Sequence, residues 1–417
     1  MSLKIFSKLV SLLRNMVAFP MRIILRFIAF IWHKDSKKIV IGGWMGELYC
    51  DNPKYLLQYL LQNTEYQITW IGKEAIRNQL PRNKKLVFAR KGSLLAFWKL
   101  LNAKTWVCCQ AINIDLTDLP ILGRGICIDL WHGIPIKYIG DKTPHIIQAK
   151  SRCSLLRLTI QKLKYNFKSW LVVSNNRMVD LLCDGVPTRY NRERILPVGT
   201  PRNDFLIQNC HNEVLKKSLR EKYSSLLGFD PLKRIVMYLP TWRMSGDAVF
   251  TFYNQDLSVQ KDWKLLLDKS DAVLIEKHHW GTYSKHPIIA PSQCSIPVSA
   301  NQQRDIDIQE LLLITDILIS DYSGAYIDFA LLKRPVIHFA YDFESYASKD
   351  SGLAYNLDDV VAGAIVKDSE FLKIEVERAL NNKKVLLSNG YSSLVEFEQG
   401  DASKRIVDFI ESKASKA

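Results

Sequence analysis

The chain has 417 residues, of which 47% are hydrophobic and 24% charged, and a formal net charge of +15. This length exceeds one ordinary domain and suffices for two of roughly 200 residues, while the composition excludes a long disordered protein. The positive excess calls for an anionic partner: nucleic acid, an anionic membrane or a polyphosphate substrate.

Residues 1–38 hold Lys4, Lys8, Arg14, Arg22, Arg26, Lys34, Lys37 and Lys38 against a single acid, Asp35. Lys4 and Lys8 are one helical turn apart, as are Arg22 and Arg26, so each half of the segment carries a basic face beside apolar residues such as Leu9, Leu12, Ile24 and Phe27. Pro20 divides the segment into two short helices. Arg22 and Arg26 interrupt the best apolar run, which falls short of the ~20 residues of a membrane span. The pattern predicts an amphipathic segment lying in the headgroup layer of an anionic membrane, on its cytoplasmic face. Two readings compete with it: a helix pair packed on the globular body, and a signal peptide, against which the missing small-residue cleavage site counts.

Beyond residue 38 strands and helices alternate. Strands are expected at Lys38–Gly43, Tyr66–Gly72, Lys85–Phe88, Thr105–Gln110, Ile126–His132 and Trp170–Ser174. Helices are expected at Pro53–Asn63, Leu94–Leu101, Ser154–Lys168 and Met178–Cys183. A charged helical connector at Asn212–Tyr223 leads to a second series with strands at Arg234–Leu239, Asp271–Ile275, Ile314–Ser320 and Pro335–Phe339 and a helix at Ala325–Leu332. Such alternation predicts parallel sheets covered on both faces. The expected organisation is an α/β protein with an amphipathic segment at 1–38, a Rossmann-like domain at 39–205, a connector at 206–230, a second Rossmann-like domain at 231–395 and terminal helices at 396–417. Ligands of such folds bind at the carboxyl ends of the strands, here in a crevice between the two domains.

Four strand ends carry polar or cationic residues. Leu130-Trp131-His132-Gly133-Ile134-Pro135-Ile136-Lys137 delivers an imidazole into a loop shaped by glycine and proline. Pro240-Thr241-Trp242-Arg243 follows the strand Arg234–Leu239, and Lys277-His278-His279 follows Asp271–Ile275. Ser320-Asp321-Tyr322-Ser323-Gly324 joins an apolar strand to a helix start, an arrangement whose backbone N–H groups and hydroxyls suit a phosphate.

Taken in order, Trp131-His132-Gly133-x-Pro135-x-Lys137, Gly199-Thr200-Pro201-Arg202-Asn203-Asp204, Tyr238-x-Pro240-Thr241-Trp242-Arg243, Lys277-x-His279 and Ser320-Asp321-Tyr322-Ser323 resemble the CDP-glycerol glycerophosphotransferase family of teichoic-acid and capsule synthesis. The likeness runs on through Lys333–Phe339, Asp342, Tyr346 and Gly352. It implies the two-Rossmann-domain GT-B fold. The position of Lys277 is often arginine in the family, and a second serine usually stands where this chain has Gly324.

Moving glycerol phosphate from a nucleotide to an alcohol needs a proton acceptor, groups that hold pyrophosphate charge and a pocket for the base. An imidazole, with an unperturbed pKa of ~6.5, suits the acceptor role of His132. The resemblance makes His132 the catalytic base with Gly133, Pro135 and Lys137 beside it, and sets His279, also catalytic, and Lys277 on the donor phosphates. Ser320, Asp321, Tyr322, Ser323 and Gly324 would hold diphosphate and ribose, and Thr241 and Arg243 would add a hydroxyl and a charge. Arg202 with Asn203 and Asp204 serves equally well as a structural joint.

Asp305-Ile306-Asp307 has the D-x-D spacing of metal-dependent transferases but lies outside these motifs, and no metal or other cofactor is expected. The eight cysteines show no C-x-x-C spacing and read as reduced core thiols of a cytosolic protein. The leading expectation is transfer of glycerol phosphate or a related polyol phosphate from CDP-glycerol to a lipid-linked or polymeric acceptor, with release of CMP. A sugar-nucleotide glycosyltransferase of the same fold is the near alternative. A non-catalytic basic protein binding membrane or nucleic acid is the distant one, disfavoured by the lack of a nucleic-acid module.

Overall fold

The computed structural model describes residues 20–143, 169–243, 247–279, 292–349, 352–382 and 385–414. The predicted helix Ser154–Lys168 and the first half of the amphipathic segment lie outside the described residues. The chain forms two compact units: the first takes residues 20–132, 169–172 and 403–414 of those described, the second 133–143 and 173–402. Contacts therefore divide the chain just after His132 rather than near residue 205.

The strands are β1 (Asp35–Gly42), β2 (Gln67–Gly72), β3 (Leu86–Arg90), β4 (Ala103–Cys108), β5 (Ile126–Asp129), β6 (Trp170–Val173), β7 (Ile195–Pro197), β8 (Arg234–Leu239), β9 (Ala272–Glu276), β10 (Ile296–Pro297), β11 (Ile317–Ser320), β12 (Val336–Phe339) and β13 (Gly363–Val366). One sheet has the order β3-β2-β1-β4-β5-β6-β7, the other β10-β9-β8-β11-β12-β13. Pairings are parallel from β3 through β6 and throughout the second sheet. Each sheet reverses its winding direction at one point, between β1 and β4 and between β8 and β11, and ligands of doubly wound sheets bind outside such points.

The apolar runs have a structural reason. In β8, Ile235, Met237 and Leu239 belong to one buried cluster and Val236 and Tyr238 to another, because alternate side chains leave opposite faces of a sheet covered on both sides. Among the described residues, 20–31 lie in helix α1. The first unit also holds α2 (Asp51–Asn63) and α3 (Leu94–Asn102). In the second are α4 (Asn176–Gly185), α5 (Pro201–Asn209), α6 (Glu213–Leu227), α7 (Leu257–Lys269), α8 (Ile308–Ile314), α9 (Ala325–Ala330), α10 (Phe343–Lys349) and α11 (Ser369–Asn381), and α12 (Ala402–Ala414) ends the described chain.

Several boundaries differ from expectation. The run ending at Ser320 is not a strand from Ile314: Asp307 caps α8, its Oδ1 accepting from the N–H groups of Gln309 (2.8 Å) and Glu310 (3.2 Å), so the helix lasts to Ile314 and the strand starts at Ile317. This employs Asp307 as a cap. Among the described residues no group of three or more His, Cys, Asp or Glu is placed to hold a metal ion. The strand expected to reach His132 stops at Asp129. Lys34 is buried rather than on a basic face: its ammonium donates to Leu101 O (2.5 Å) and Ile121 O (3.3 Å), and burial lowers its pKa to about 8. Seven described cysteines are free thiols.

His338, on β12, is fully buried beneath the β11 end. Its Nε2 accepts from Ala362 N–H (3.1 Å), so Nδ1, 3.3 Å from Asp321 O, carries the proton of a neutral ring. Burial lowers its pKa from 6.5 to about 4. With the folded value below the unfolded one, its stabilising contribution is present above pH 6.5 and is lost as pH falls toward 4, by about 3 kcal/mol. Denaturant titrations of wild type and His338→Gln across that interval are expected to show the stability difference between them shrinking by this amount on acidification.

Candidate active site

The His132 turn is built by strain and by capping. Trp131 has φ +56° and Gly133 φ +133°. Asp129 Oδ1 accepts from Trp131 N–H (3.1 Å), and Asn52 Nδ2 donates to the carbonyls of Leu130 (3.2 Å) and Trp131 (3.0 Å). His132 stacks on Trp131 with ring centroids 4.4 Å apart and meets Trp44 edge-on at 6.0 Å. Its Nδ1 lies 3.1 Å from Cys109 O. A carbonyl can only accept, so Nδ1 bears the proton and the neutral ring keeps its basic lone pair on Nε2.

That carbonyl is itself held. Asp115, buried, accepts from the N–H groups of Met45 (3.0 Å), Cys109 (2.9 Å) and Gln110 (2.8 Å), binding the loop after β1 to the loop after β4. Burial raises the Asp115 pKa against the opposing pull of these three donors. Trp44, Met45 and Asp51 share the left-handed backbone region with Trp131, a concentration of strain found at functional sites. Sequence reasoning missed Trp44, Asn52 and Asp115. The glycines of Gly42-Gly43-Trp44-Met45-Gly46, at the end of the first strand, were the available signal.

In the second unit the ends of β8 and β11 are adjacent and locked together. Asp321 Oδ1 accepts from Thr241 N–H (2.8 Å) and Tyr322 N–H (2.6 Å), and its Oδ2 meets Arg243 Nη2 at 2.8 Å. Arg243, 2% exposed, also donates to Asp342 through Nε (2.7 Å) and Nη2 (3.0 Å) and to Thr241 O through Nη1 (2.7 Å). Burial works against its charge, but Asp321 and Asp342 outweigh burial and its pKa is raised. Ser320 Oγ donates to Leu239 O (2.9 Å), and Tyr322 OH to Asp342 Oδ1 (3.2 Å).

Here the structure departs from the sequence reading. Ser320, Asp321, Tyr322 and Arg243 are buried as a framework: the arginine takes Asp321, Asp342 and the Thr241 carbonyl as acceptors, and the Ser320 and Tyr322 hydroxyls donate to Leu239 O and Asp342. At the surface of this framework are Ser323 and Gly324, half-buried, Lys277, whose Nζ donates to Gln303 Oε1 (2.9 Å), and exposed His279, stacked on Trp242 at 6.1 Å. Thr241 Oγ1 is buried and has no partner among the described residues. His278 points into the core, donating from Nε2 to Glu276 Oε1 (2.8 Å).

The segment after His132 packs on this framework. Gly324 lies so close to Ile134 that a Cβ there would stand 2.6 Å from Ile134 O. Pro135 is half-buried, Ile136 O accepts from Ala354 N–H (2.9 Å), and Lys137 bridges to Leu353 with its Nζ 5.7 Å from the Tyr346 ring. Tyr346 stacks on Tyr322 at 4.3 Å. Arg202 pairs with Asp328 (2.6 Å), and Asp204 Oδ1 accepts from Ala402 N–H (2.8 Å), so this motif is a structural clasp within the second unit.

Residues 24–412 match the family model of CDP-glycerol:poly(glycerophosphate) glycerophosphotransferase. The chain belongs to that family. Among the relatives of this glycerophosphotransferase is the teichoic acid poly(glycerol phosphate) polymerase of Bacillus spizizenii, 25% identical over 96% of this chain and 98% of the relative. Another is the teichoic acid glycerol-phosphate transferase of Staphylococcus aureus, 26% identical over 90% and 93%. The solved structure of the wall teichoic acid polymerase TagF superposes with a TM-score of 0.72 at 22% identity, covering 100% of this chain and 99% of that one. The fold is accordingly GT-B-like, and the protein is a transferase.

A side chain at position 324 of this glycerophosphotransferase would press on the Ile134 carbonyl and displace the segment 133–137. Gly324→Ser is expected to destabilise by about 1–3 kcal/mol, the usual cost of overpacking, and to lower turnover along with it. Thermal melts and steady-state rates of the variant check both.

Proposed function

We propose that the protein transfers glycerol phosphate from CDP-glycerol to the terminal hydroxyl of a membrane-associated polyol-phosphate acceptor in teichoic-acid-type polymer synthesis, releasing CMP. The observation that carries this reading is the hydrogen bond from His132 Nδ1 to Cys109 O, which supports Nε2 as the proton acceptor. The acceptor oxygen attacks the phosphorus that bears glycerol, its proton passes to Nε2, and the bond from that phosphorus to the bridging oxygen breaks, leaving CMP with the electron pair. Lys277 and His279 offset charge on the donor phosphates, His279 as the second catalytic group. Ser323 and the Gly324 backbone contact the diphosphate. The hydroxyl of Thr241 adds a hydrogen bond, and Lys137 attends the acceptor. Arg243 and Asp321 act through these groups by holding the β8 and β11 ends together.

The test is CMP release from CDP-glycerol with an oligomeric glycerol-phosphate acceptor. Wild type is expected to turn over and His132→Ala to lose at least about a hundredfold, the scale of a lost general base. No CMP from folded wild type with this donor, but release with CDP-ribitol, would reassign the polyol.

Membrane association at the cytoplasmic face belongs to the same proposal. Among the described residues no helix is long and apolar enough to cross a bilayer. Helix α1 fixes itself to the first unit through buried Ala29, the Arg22–Asp118 pair (3.4 Å) and Arg124 over the Phe30 ring (3.9 Å). It still leaves Met21, Ile23, Ile24, Phe27 and Ile31 more than half exposed, with Arg26 among them, the composition of a surface that enters an anionic headgroup layer. Phe27→Glu with Ile31→Glu is expected to abolish co-sedimentation with phosphatidylglycerol vesicles while turnover on a soluble acceptor persists. Unchanged sedimentation would remove α1 from the membrane contact.

A further inference from the structure

Residues 199–204 take no part in the chemistry above, yet Gly199 and Thr200 converge on one half-buried carboxylate. Glu398 accepts from Ser174 Oγ (2.6 Å), from Thr200 Oγ1 (2.9 Å) and from Thr200 N–H (3.2 Å to each oxygen). Gly199 has φ +80°, and a Cβ there would stand 2.7 Å from Phe397 O and 3.0 Å from Glu398 Oε2, so glycine is required for this approach. Thr200 precedes α5 as its N-cap residue, but its hydroxyl is withdrawn from capping and given to Glu398. Two residues on, Arg202 forms its 2.6 Å pair with Asp328, and the guanidinium lies against Gly133: a Cβ there would be 2.9 Å from Arg202 Nη2. Glu398, Thr200, the first turn of α5, Arg202 and Gly133 thus form a continuous chain of short contacts that ends on the residue bonded to His132.

We propose that Glu398 is a positioning residue for the transfer: its carboxylate fixes Thr200 and the start of α5, so that Arg202 supports Gly133 and sets the geometry of the His132 loop. The proposal rests on the reading of His132 as the base.

The electrostatics give this role a signature. Burial pushes the Glu398 pKa up to about 7, against the Ser174 and Thr200 donors, with Asp328 adding to the rise. The other charged or titratable groups about it are Arg202, held by Asp328, the Tyr391 phenol, and Glu396, whose carboxylate takes Asn176 Nδ2 at 3.0 Å. A folded pKa above the unfolded value means that the stabilising contribution is full below about pH 4.5 and lost as pH rises through about 7, so the ionised form is carried at a cost to the fold. The ionised form accepts these hydrogen bonds more strongly than the protonated one. Glutamine, the neutral isostere, mimics the protonated state. A purely structural residue would lose stability and turnover together on this substitution, whereas a positioning carboxylate loses turnover alone.

The experiment is Glu398→Gln in the full-length protein, with Thr200→Ser as the conservative control. At about pH 8 the variant is expected to melt at or above the wild-type temperature while kcat for CMP release falls about tenfold and KM for CDP-glycerol changes by less than about twofold. Deuterium uptake in the peptide spanning residues 130–137 is expected to rise in the variant at this pH and to match wild type at about pH 5.5, where the folded protein holds Glu398 protonated, the state that glutamine copies. Thr200→Ser, which keeps the hydroxyl, is expected to behave as wild type. Unchanged kcat at pH ~8, or kcat and melting temperature falling together, overturns the proposal. Wild type that releases no CMP defeats the transfer reading instead, and the uptake comparison, which needs no substrate, still decides whether Glu398 controls the loop.

Discussion

The buried network of Arg243 with Asp321 and Asp342 is the constraint on which the second unit depends. A guanidinium removed from water is tolerable only when acceptors surround it, and here they come from the ends of two neighbouring strands and the start of a helix. The same carboxylate of Asp321 takes the backbone N–H groups of Thr241 and Tyr322. His338 holds the Asp321 carbonyl from below. The turn that exposes Ser323 and Gly324 is therefore over-determined, and its rigidity comes from polar groups that are themselves hidden from any ligand.

The first unit solves a similar problem with the carboxylate of Asp115. Asp115 gathers three backbone donors and so places the Cys109 carbonyl, which in turn selects the tautomer of His132. In the proposed reaction that tautomer leaves Nε2 as the nitrogen to take the proton of the acceptor hydroxyl. Strained residues on either side, Trp44, Met45, Asp51 and Trp131, show that the arrangement is maintained at a local energetic cost, of order 1–3 kcal/mol for each such residue.

How far this was legible beforehand depended on the range of the interactions. The continuous apolar runs of β8 and β12 and the capped connector α6 were readable because local pattern and tertiary burial agree there. The α8–β11 boundary was misread because one continuous apolar stretch serves both elements, and only the Asp307 cap distinguishes them. Motif residues at the strand ends were identifiable, but their division into framework and surface was not. Sequence cannot state that Asp321 spends both oxygens on Thr241, Tyr322 and Arg243, since two of those partners lie about 80 positions away. Asn52, Asp115 and Glu398 escaped for the same reason: each acts on backbone or hydroxyl groups that carry no residue-type signal.

The repeated strand order has a consequence for how the chain is made. In both sheets the first strand synthesised becomes central, and its second neighbour arrives late: β8 ends at Leu239, while β11 begins at Ile317. At ribosomal rates of about 5–20 residues per second, one flank of this largely apolar strand waits unpaired for roughly 4–16 seconds. An open strand edge of that kind is a template for mispairing with another chain. Production of the intact second unit should therefore be limited by chaperone capacity during translation rather than by the stability of the finished fold, and slowing synthesis before residue 317 should lower the soluble yield.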